Sequence, residues 1–168
     1  LSNDHVFVKT ATAEFDYPRG DANVFGTYAG KGGIVLDGFL RRMMFAIRFA
    51  SPDTLFSPNL TQESRVLIYR RIGERVRRIA PFLVYDSAPY IAISQGRLVW
   101  IQDAYTTSTR YPYSKPAPDG TNYIRNSVKI TIDAYDGTVR FHVLDPKDPV
   151  VATLSRIFPT LFAPLSSM

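Results

Sequence analysis

The stretch KITIDAYDGTVRFHV, residues 129–143, decides the fold that we expect from this sequence. Apolar and polar residues alternate on both sides of Asp136-Gly137, a pair typical of a two-residue type I′ hairpin turn. Counting outward from that turn pairs Asp133 with Arg140, a cross-strand ion pair worth about 0.2–1 kcal/mol. The same count predicts one apolar face for the hairpin, made of Ile130, Ile132, Ala134, Val139, Phe141 and Val143.

A second hairpin is predicted in YIAISQGRLVWI, residues 90–101, where Gln95-Gly96 forms the turn. Its strands carry apolar residues on both faces, which is typical of strands that are covered on two sides. We therefore expect this hairpin to lie at the centre of the sheet.

Two helices are predicted from capping residues and apolar spacing. The first follows Asp37, which has the side chain of an N-cap. The last begins with Asp148 as N-cap and Pro149 in the first helical position, and it stops before Pro159. We expect the first helix to turn one apolar stripe to the core, made of Leu40, Met43, Met44 and Ile47.

A third helix is predicted over residues 63–80, with Thr61 as its cap and Pro81 at its exit. Its arginines could attract nucleic acid. However, Glu74 stands four residues from both Arg70 and Arg78, the spacing of intrahelical ion pairs. We therefore expect a solvated face with no nucleic-acid partner, and a buried stripe made of Ile68, Ile72, Val76, Ile79 and Leu83.

Together these elements predict an α+β fold, in which an antiparallel sheet built from two β-hairpins packs against two or three helices. We expect residues 1–168 to form a single soluble domain, since this length fits one domain with a core. Hydrophobic residues make up 45% and charged residues 21%, which disfavours a disordered chain. Because the chain begins at Leu1 without an initiator Met, we expect it to be a fragment of a longer protein.

Composition and motifs exclude several kinds of chemistry. The absence of Cys rules out disulfides, thiolate zinc sites and cysteine nucleophiles. The two histidines, His5 and His142, are not spaced for zinc, and we expect His142 on a sheet surface. GTYAGKGG, residues 26–33, lacks the spacing and the Ser or Thr of a phosphate-binding loop. We therefore predict no metal site and no cofactor, while the net charge of +5 suits solubility or an acidic partner.

The triplet Asp-Ala-Tyr occurs twice, at residues 103–105 and 133–135. Two acids act as a catalytic pair only if their carboxylates converge, which the sequence does not show. We expect a scaffolding role for both, in which Asp133 opposes Arg140 and Asp103 caps the following turn.

The segment between the hairpins, residues 106–127, holds three prolines and Gly120, and we predict an ordered surface loop. Loops of this length in compact domains are usually functional. Its tyrosines leave two interpretations open: contact with a glycan, peptide or protein, or burial of the tyrosines on the sheet. In the contact interpretation, Tyr123 and Ile124 anchor the loop on the sheet, and Tyr111, Tyr113 and Arg110 meet the partner. The candidate contact residues are Tyr105, Arg110, Tyr111, Tyr113, Arg125 and Asn126.

The motifs DAYTTS (103–108), YPYS (111–114) and NYIRNSVK (122–129) resemble uncharacterised protein family 0182, a family of large bacterial multi-pass membrane proteins. The similarity runs through the whole chain. It implies a parent with several transmembrane helices in the cell membrane, and it places this region in a large soluble part outside the cytoplasm. It implies no activity, so no catalytic residue is carried over.

Two functions stay open at this point. The first is a non-catalytic extracytoplasmic binding or assembly module, joined to the membrane by the rest of its parent and facing a protein or cell-envelope partner. The second is a cell-envelope hydrolase that uses acids such as Asp86, Asp103 and Asp133. Convergence of those acids in a cleft would favour the enzyme.

Overall fold

The computed structural model describes residues 5–168, which divide into two compact units, one ending at Arg70 and one running from Arg71 to Met168. Each unit has its own buried cluster of apolar side chains. Mixed helices and antiparallel strands confirm the α+β class. The expectation of a single domain stays a prediction.

The first unit is built from short strands around a helix. Its elements, in chain order, are β1 (His5–Val8), β2 (Glu14–Arg19), β3 (Ala22–Gly26), β4 (Ile34–Val35), α1 (Phe39–Phe49), α2 (Asp53–Phe56) and β5 (Arg65–Ile68). β5 lies between β1 and β4 and is antiparallel to both, while β2 and β3 form a separate hairpin. The buried cluster of this unit is made of Leu36, Phe45, Leu60 and Val66.

The predicted orientation of α1 is wrong. Phe45 and Ala46 are its buried residues, whereas Leu40, Met44 and Ile47 of the expected core stripe are exposed. The spacing is helical, as predicted, but this helix has apolar residues on two sides, and periodicity alone does not say which side packs. The N-cap is Gly38, which makes no side-chain cap, instead of Asp37.

The prediction of one helix over residues 63–80 is also wrong. Its first part is strand β5, whose Val66 is fully buried, so pairing with two neighbouring strands outweighs the helical spacing. Thr61 caps a turn, because its Oγ1 accepts a hydrogen bond from the N–H of Glu63 at 3.2 Å. Ile68 accordingly packs with the first unit, as part of a strand.

The second unit is one sheet with two helices. Its elements are α3 (Ile72–Ile79), β6 (Val84–Tyr85), β7 (Tyr90–Ser94), β8 (Arg97–Ser108), β9 (Tyr123–Asp133), β10 (Val139–Val143), α4 (Pro149–Ile157) and β11 (Phe162–Pro164). The sheet order is β11-β10-β9-β8-β6, with β7 also paired to β8. β11 is parallel to β10, and the other pairs are antiparallel.

Helix α3 packs on this sheet through part of the predicted stripe. Val76 of α3 is buried and Ile72 packs against the same cluster, but Ile79 is exposed. Leu83 is also buried, and it lies beyond the end of the helix. The hydroxyl of Tyr85 lies 2.9 Å from the carbonyl oxygen of Val76 and 2.6 Å from that of Ala80, and burial raises its pKa above the ordinary value. The exposed arginines here include Arg71, Arg77 and Arg78.

The hairpin of β9 and β10 forms with its register shifted by two residues. Ile132 lies opposite Val139 and Thr131 opposite Arg140, so the predicted pair of Asp133 with Arg140 does not form. Asp133 instead accepts hydrogen bonds from the N–H groups of Tyr135 and Asp136, at 2.8 and 3.1 Å, and so caps a longer turn. Because the shift is even, the apolar residues keep their face.

The other hairpin turns at Gln95-Gly96 as predicted, and both residues have positive φ. The prediction that this hairpin lies at the centre of the sheet is wrong. β9 occupies one edge of β8, and β6 and β7 share the other, so β7 pairs only with β8. Ile91 and Ile93 of β7 are exposed as a result.

His142 is buried, contrary to the expected surface position. Its Nε2 lies 3.0 Å from Thr131 Oγ1, and its Nδ1 lies 3.3 Å from Ser167 Oγ. β11 and the short helical turn Leu165–Ser167 cover this side of β10, which the sequence pattern of the hairpin does not reveal.

Candidate functional site

The candidate site is the loop between β8 and β9, residues 109–122, which we call the tyrosine loop. The two strands extend further than the sequence predicts and pair as far as Ser108 with Tyr123. The loop is therefore shorter than the predicted segment 106–127, and both of its ends join paired strand residues.

Asn122 closes the tyrosine loop. Its Oδ1 accepts a hydrogen bond from the N–H of Tyr111 at 2.9 Å, and its Nδ2 donates to the carbonyl of Tyr111 at 2.8 Å. Ser114 Oγ in turn donates to the carbonyl of Asn122 at 2.6 Å. These bonds hold both ends of the YPYS stretch, so the loop is ordered although it has no regular structure.

Two tyrosine rings fasten the loop to the sheet. Tyr111 stacks on Tyr123 with ring centroids 4.4 Å apart and an angle of 16° between the planes. The hydroxyl of Tyr123 donates to Asp148 Oδ1 at 2.6 Å, and burial together with Asp148 raises the pKa of Tyr123 to about 12. Tyr123 is thus an anchor as predicted, whereas Ile124 is exposed and is not.

Asp148 is the fixed point beneath this stack. It is fully buried, and its Oδ2 accepts hydrogen bonds from Thr106 Oγ1 and Ser127 Oγ, both at 2.5 Å. It also caps α4 through the N–H of Val150 at 2.9 Å, as the sequence predicts. Burial raises the pKa of Asp148, but these hydrogen bonds outweigh that effect and hold it below its usual range.

Tyr113 projects from the loop. Its side chain is fully exposed, and its φ of 60° lies in the left-handed region, which costs a residue other than glycine roughly 1–3 kcal/mol. Arg110, three residues earlier, is also exposed. The loop therefore presents the whole ring of Tyr113 and the guanidinium of Arg110 to solvent.

The predicted contact residues fall into two groups. Arg110, Tyr111 and Tyr113 lie in the tyrosine loop. The other three lie in its supporting strands: Tyr105 pairs with Asn126 in the register of β8 and β9, and Arg125 forms an ion pair with Asp145 at 3.3 Å. Sequence reasoning missed the clamp by Asn122 and saw in Asp148 only a helix cap.

The carboxylates of the enzyme hypothesis have separate partners, although the N–H of Asp86 donates to the backbone carbonyl of Asp103 at 3.0 Å. Asp103 lies 3.0 Å from Lys129 Nζ, Asp133 lies 2.8 Å from Arg97, and Asp86 accepts a hydrogen bond from the N–H of Ala88 at 3.1 Å. Asp103 therefore forms an ion pair instead of the predicted turn cap. Asp103 and Asp133 also lie four strand positions apart, about 13 Å, too far for a shared proton.

Within residues 5–168, no group of three or more His, Asp or Glu side chains is placed to hold a metal ion. The helices in that part of the chain are all too short or too polar to cross a bilayer. The predicted absence of a metal and a cofactor stays a prediction.

Comparison with known proteins identifies the family of this chain. The sequence profile of the uncharacterised protein family UPF0182 matches residues 1–168. The chain is 52% identical to a UPF0182 protein of Pelobacter propionicus over 169 residues and 52% identical to one of Bradyrhizobium diazoefficiens over 167 residues.

These matches cover 100% and 99% of the chain but only 19% and 18% of the relatives, so the chain spans less than a fifth of their length. No solved structure matches the chain. With its full length matched at this level of identity, the chain belongs to the uncharacterised protein family UPF0182.

Proposed function

We propose that this chain is a non-catalytic binding or assembly module of a longer membrane protein, and that the tyrosine loop is its contact surface. The observation that carries the proposal is the fully exposed Tyr113, held at positive φ on a loop that Asn122 and the Tyr111–Tyr123 stack keep ordered. Strain maintained in an ordered loop is a feature of binding sites.

The energetics of recognition favour this arrangement. A loop that is ordered before binding loses little conformational entropy when a partner arrives. Tyr and Arg, together with Trp, are enriched at the energetic centres of protein interfaces. Tyr113 and Arg110 therefore supply an aromatic contact and hydrogen-bond donors without a large ordering cost.

The proposed location is outside the cytoplasm, attached to the cell membrane through the rest of the parent. The resemblance of the motifs to multi-pass membrane proteins supports this location, and a chain without Cys is compatible with an oxidising compartment. The partner is a protein or another component of the cell envelope.

Site-specific crosslinking tests the contact surface. A photoreactive amino acid at Tyr113 in the full-length protein, expressed in its native membrane, should give a discrete crosslinked product. The same probe at Tyr135, an exposed tyrosine outside the loop, is the matched control and should not. Equal yields at both positions, or none at Tyr113, would remove the tyrosine loop as the contact surface.

Protease accessibility tests the location. Protease added to spheroplasts should cleave the parent within this region, whereas a cytoplasmic marker stays intact. Cleavage only after lysis would place the module in the cytoplasm.

A further inference from the structure

Helix α1 exposes an apolar face that the fold of its unit does not use. At about 100° per residue, Phe39, Met43, Ile47, Leu40 and Met44 follow one another around an arc of about 140°. Phe39, Leu40, Met44 and Ile47 are 58–73% exposed.

The opposite side of α1 already packs on the core. Phe45 and Ala46 are buried there, and Phe49 stacks on both Phe45 and His5. A surface helix normally turns a polar face to water. α1 is apolar on both sides, and contiguous exposed apolar surface of this kind marks an interaction site.

The charges on α1 indicate what kind of partner fits this apolar face. α1 contains three arginines and no acidic residue. Arg42 is used internally, donating to the carbonyl of Leu60 at 2.9 Å. Arg41 and Arg48 are exposed at the edge of the apolar arc, where Arg48 also donates to the hydroxyl of Tyr69. In an antiparallel pair of copies, the arginine-bearing edges of the two helices would face each other, which disfavours that form of self-association.

We propose that α1 docks on an anionic phospholipid bilayer, with its apolar arc at the boundary between headgroups and acyl chains. A large apolar face bordered by arginines is the pattern of helices that lie in the plane of the membrane interface. Arg48 contacts the neutral hydroxyl and ring of Tyr69, so its charge stays available for lipid phosphates. Arg41 is shared with Asp37 at 3.0 Å and contributes less. The proposal does not rest on the tyrosine loop, which belongs to the other unit.

Vesicle flotation of the 168-residue chain tests the proposal. The chain should float with vesicles of phosphatidylcholine and phosphatidylglycerol, and much less with phosphatidylcholine alone. Added salt should weaken flotation, since the charge attraction is screened. Ile47→Glu should reduce partitioning about tenfold or more, because it places a carboxylate among the acyl chains.

A matched control separates membrane docking from general stickiness. Ile93→Glu alters an equally exposed isoleucine on β7 and should leave flotation unchanged. Arg48→Gln should reduce binding to anionic vesicles while changing binding to neutral vesicles little. Far-UV circular dichroism checks that each variant is folded.

Three outcomes would overturn the proposal. The first is absence of flotation on anionic vesicles, and the second is equal loss for Ile93→Glu and Ile47→Glu. The third is concentration-dependent self-association that Ile47→Glu abolishes, which would assign the face to a second copy.

A dye attached to the full-length protein tests whether another part of the same protein covers the apolar face of α1. Ile47→Cys adds a thiol to a region that has none, and a dye attached there should be quenched by brominated lipids. A dye that is shielded from water but not quenched would show that protein covers α1, and would contradict docking on lipid.

Discussion

Helices α1 and α4 begin in opposite ways. α4 starts at Asp148, a fully buried carboxylate that caps the helix and also holds Thr106, Ser127 and Tyr123. α1 starts at Gly38 without a side-chain cap and leaves one apolar side in solvent. The comparison teaches that a buried carboxylate fixes one orientation of its helix, because each donor around it must keep its hydrogen bond. Apolar residues on two sides of a helix are compatible with two orientations.

The largest expected change in stability separates the buried and the exposed apolar sides of α1. Phe45→Ala should lower the free energy of unfolding by about 3–5 kcal/mol, because Phe45 is buried in the first unit. Ile47→Ala, on the exposed side, should change it by no more than about 0.5 kcal/mol. Urea denaturation measures both, and hydrogen exchange of amides up to residue 70 assigns the loss to this unit. Similar losses of unfolding free energy for the two variants would contradict the assignment of Phe45 to the buried side and Ile47 to the exposed side of α1.

Removing the carboxylate at each helix start comes next. Asp148→Ala should cost about 2–4 kcal/mol, because it deletes a cap and breaks three hydrogen bonds from hydroxyl groups, of which only Thr106 keeps another backbone acceptor, the carbonyl of Arg125 at 3.3 Å. Asp37→Ala at α1 removes only an exposed ion pair and should cost less than about 1 kcal/mol. Thermal unfolding of both variants tests the contrast, which a small loss for Asp148→Ala would contradict.

The same carboxylate should give the chain part of its acid sensitivity. Since the folded state lowers the pKa of Asp148, its stabilising effect is complete above the unfolded value of about 3.9 and is lost as pH falls through the folded value. Below pH of about 4, unfolding free energy should therefore fall more steeply for the wild type than for Asp148→Asn. Parallel slopes in urea titrations at several pH values would show that another group carries this dependence.

The smallest effects are expected in the tyrosine loop, which is joined to Asp148 only through Tyr123 and the ring of Tyr111 stacked on it. Tyr111→Ala should cost about 0.5–1.5 kcal/mol through loss of the ring stack on Tyr123. Tyr113→Gly should be neutral or slightly stabilising, since glycine adopts the positive φ freely and the ring touches solvent. A substantial loss for Tyr113→Gly would mean that this ring packs on the protein and does not serve as a contact residue.

Signals within a few residues of each other predicted structure well. Asp148 and Pro149 marked the start of α4, and Gln95-Gly96 marked a hairpin turn. The family resemblance was confirmed over the whole chain. These features depend on local backbone chemistry, which the sequence displays directly.

Features that depend on distant partners were missed. Residues 65–68 became a strand because β1 and β4 flank them, and the register of β9 and β10 moved by two because Asp133 caps its own turn. In the candidate site, the loop and its tyrosines were found. The clamp and the buried Asp148 network join residues 11 to 42 positions apart, and no spacing rule identifies such pairs.

The side-chain amide of Asn122 should also protect the tyrosine loop from proteases. Arg110 precedes Tyr111 on an exposed loop, and Lys115 precedes Pro116, so the bond after Arg110 is the natural tryptic site of the loop. A protease must draw its substrate into an extended strand, yet both backbone groups of Tyr111 are held by Asn122. We therefore expect this bond to resist trypsin in the folded chain, and nicking after Arg110 would report opening of the clamp.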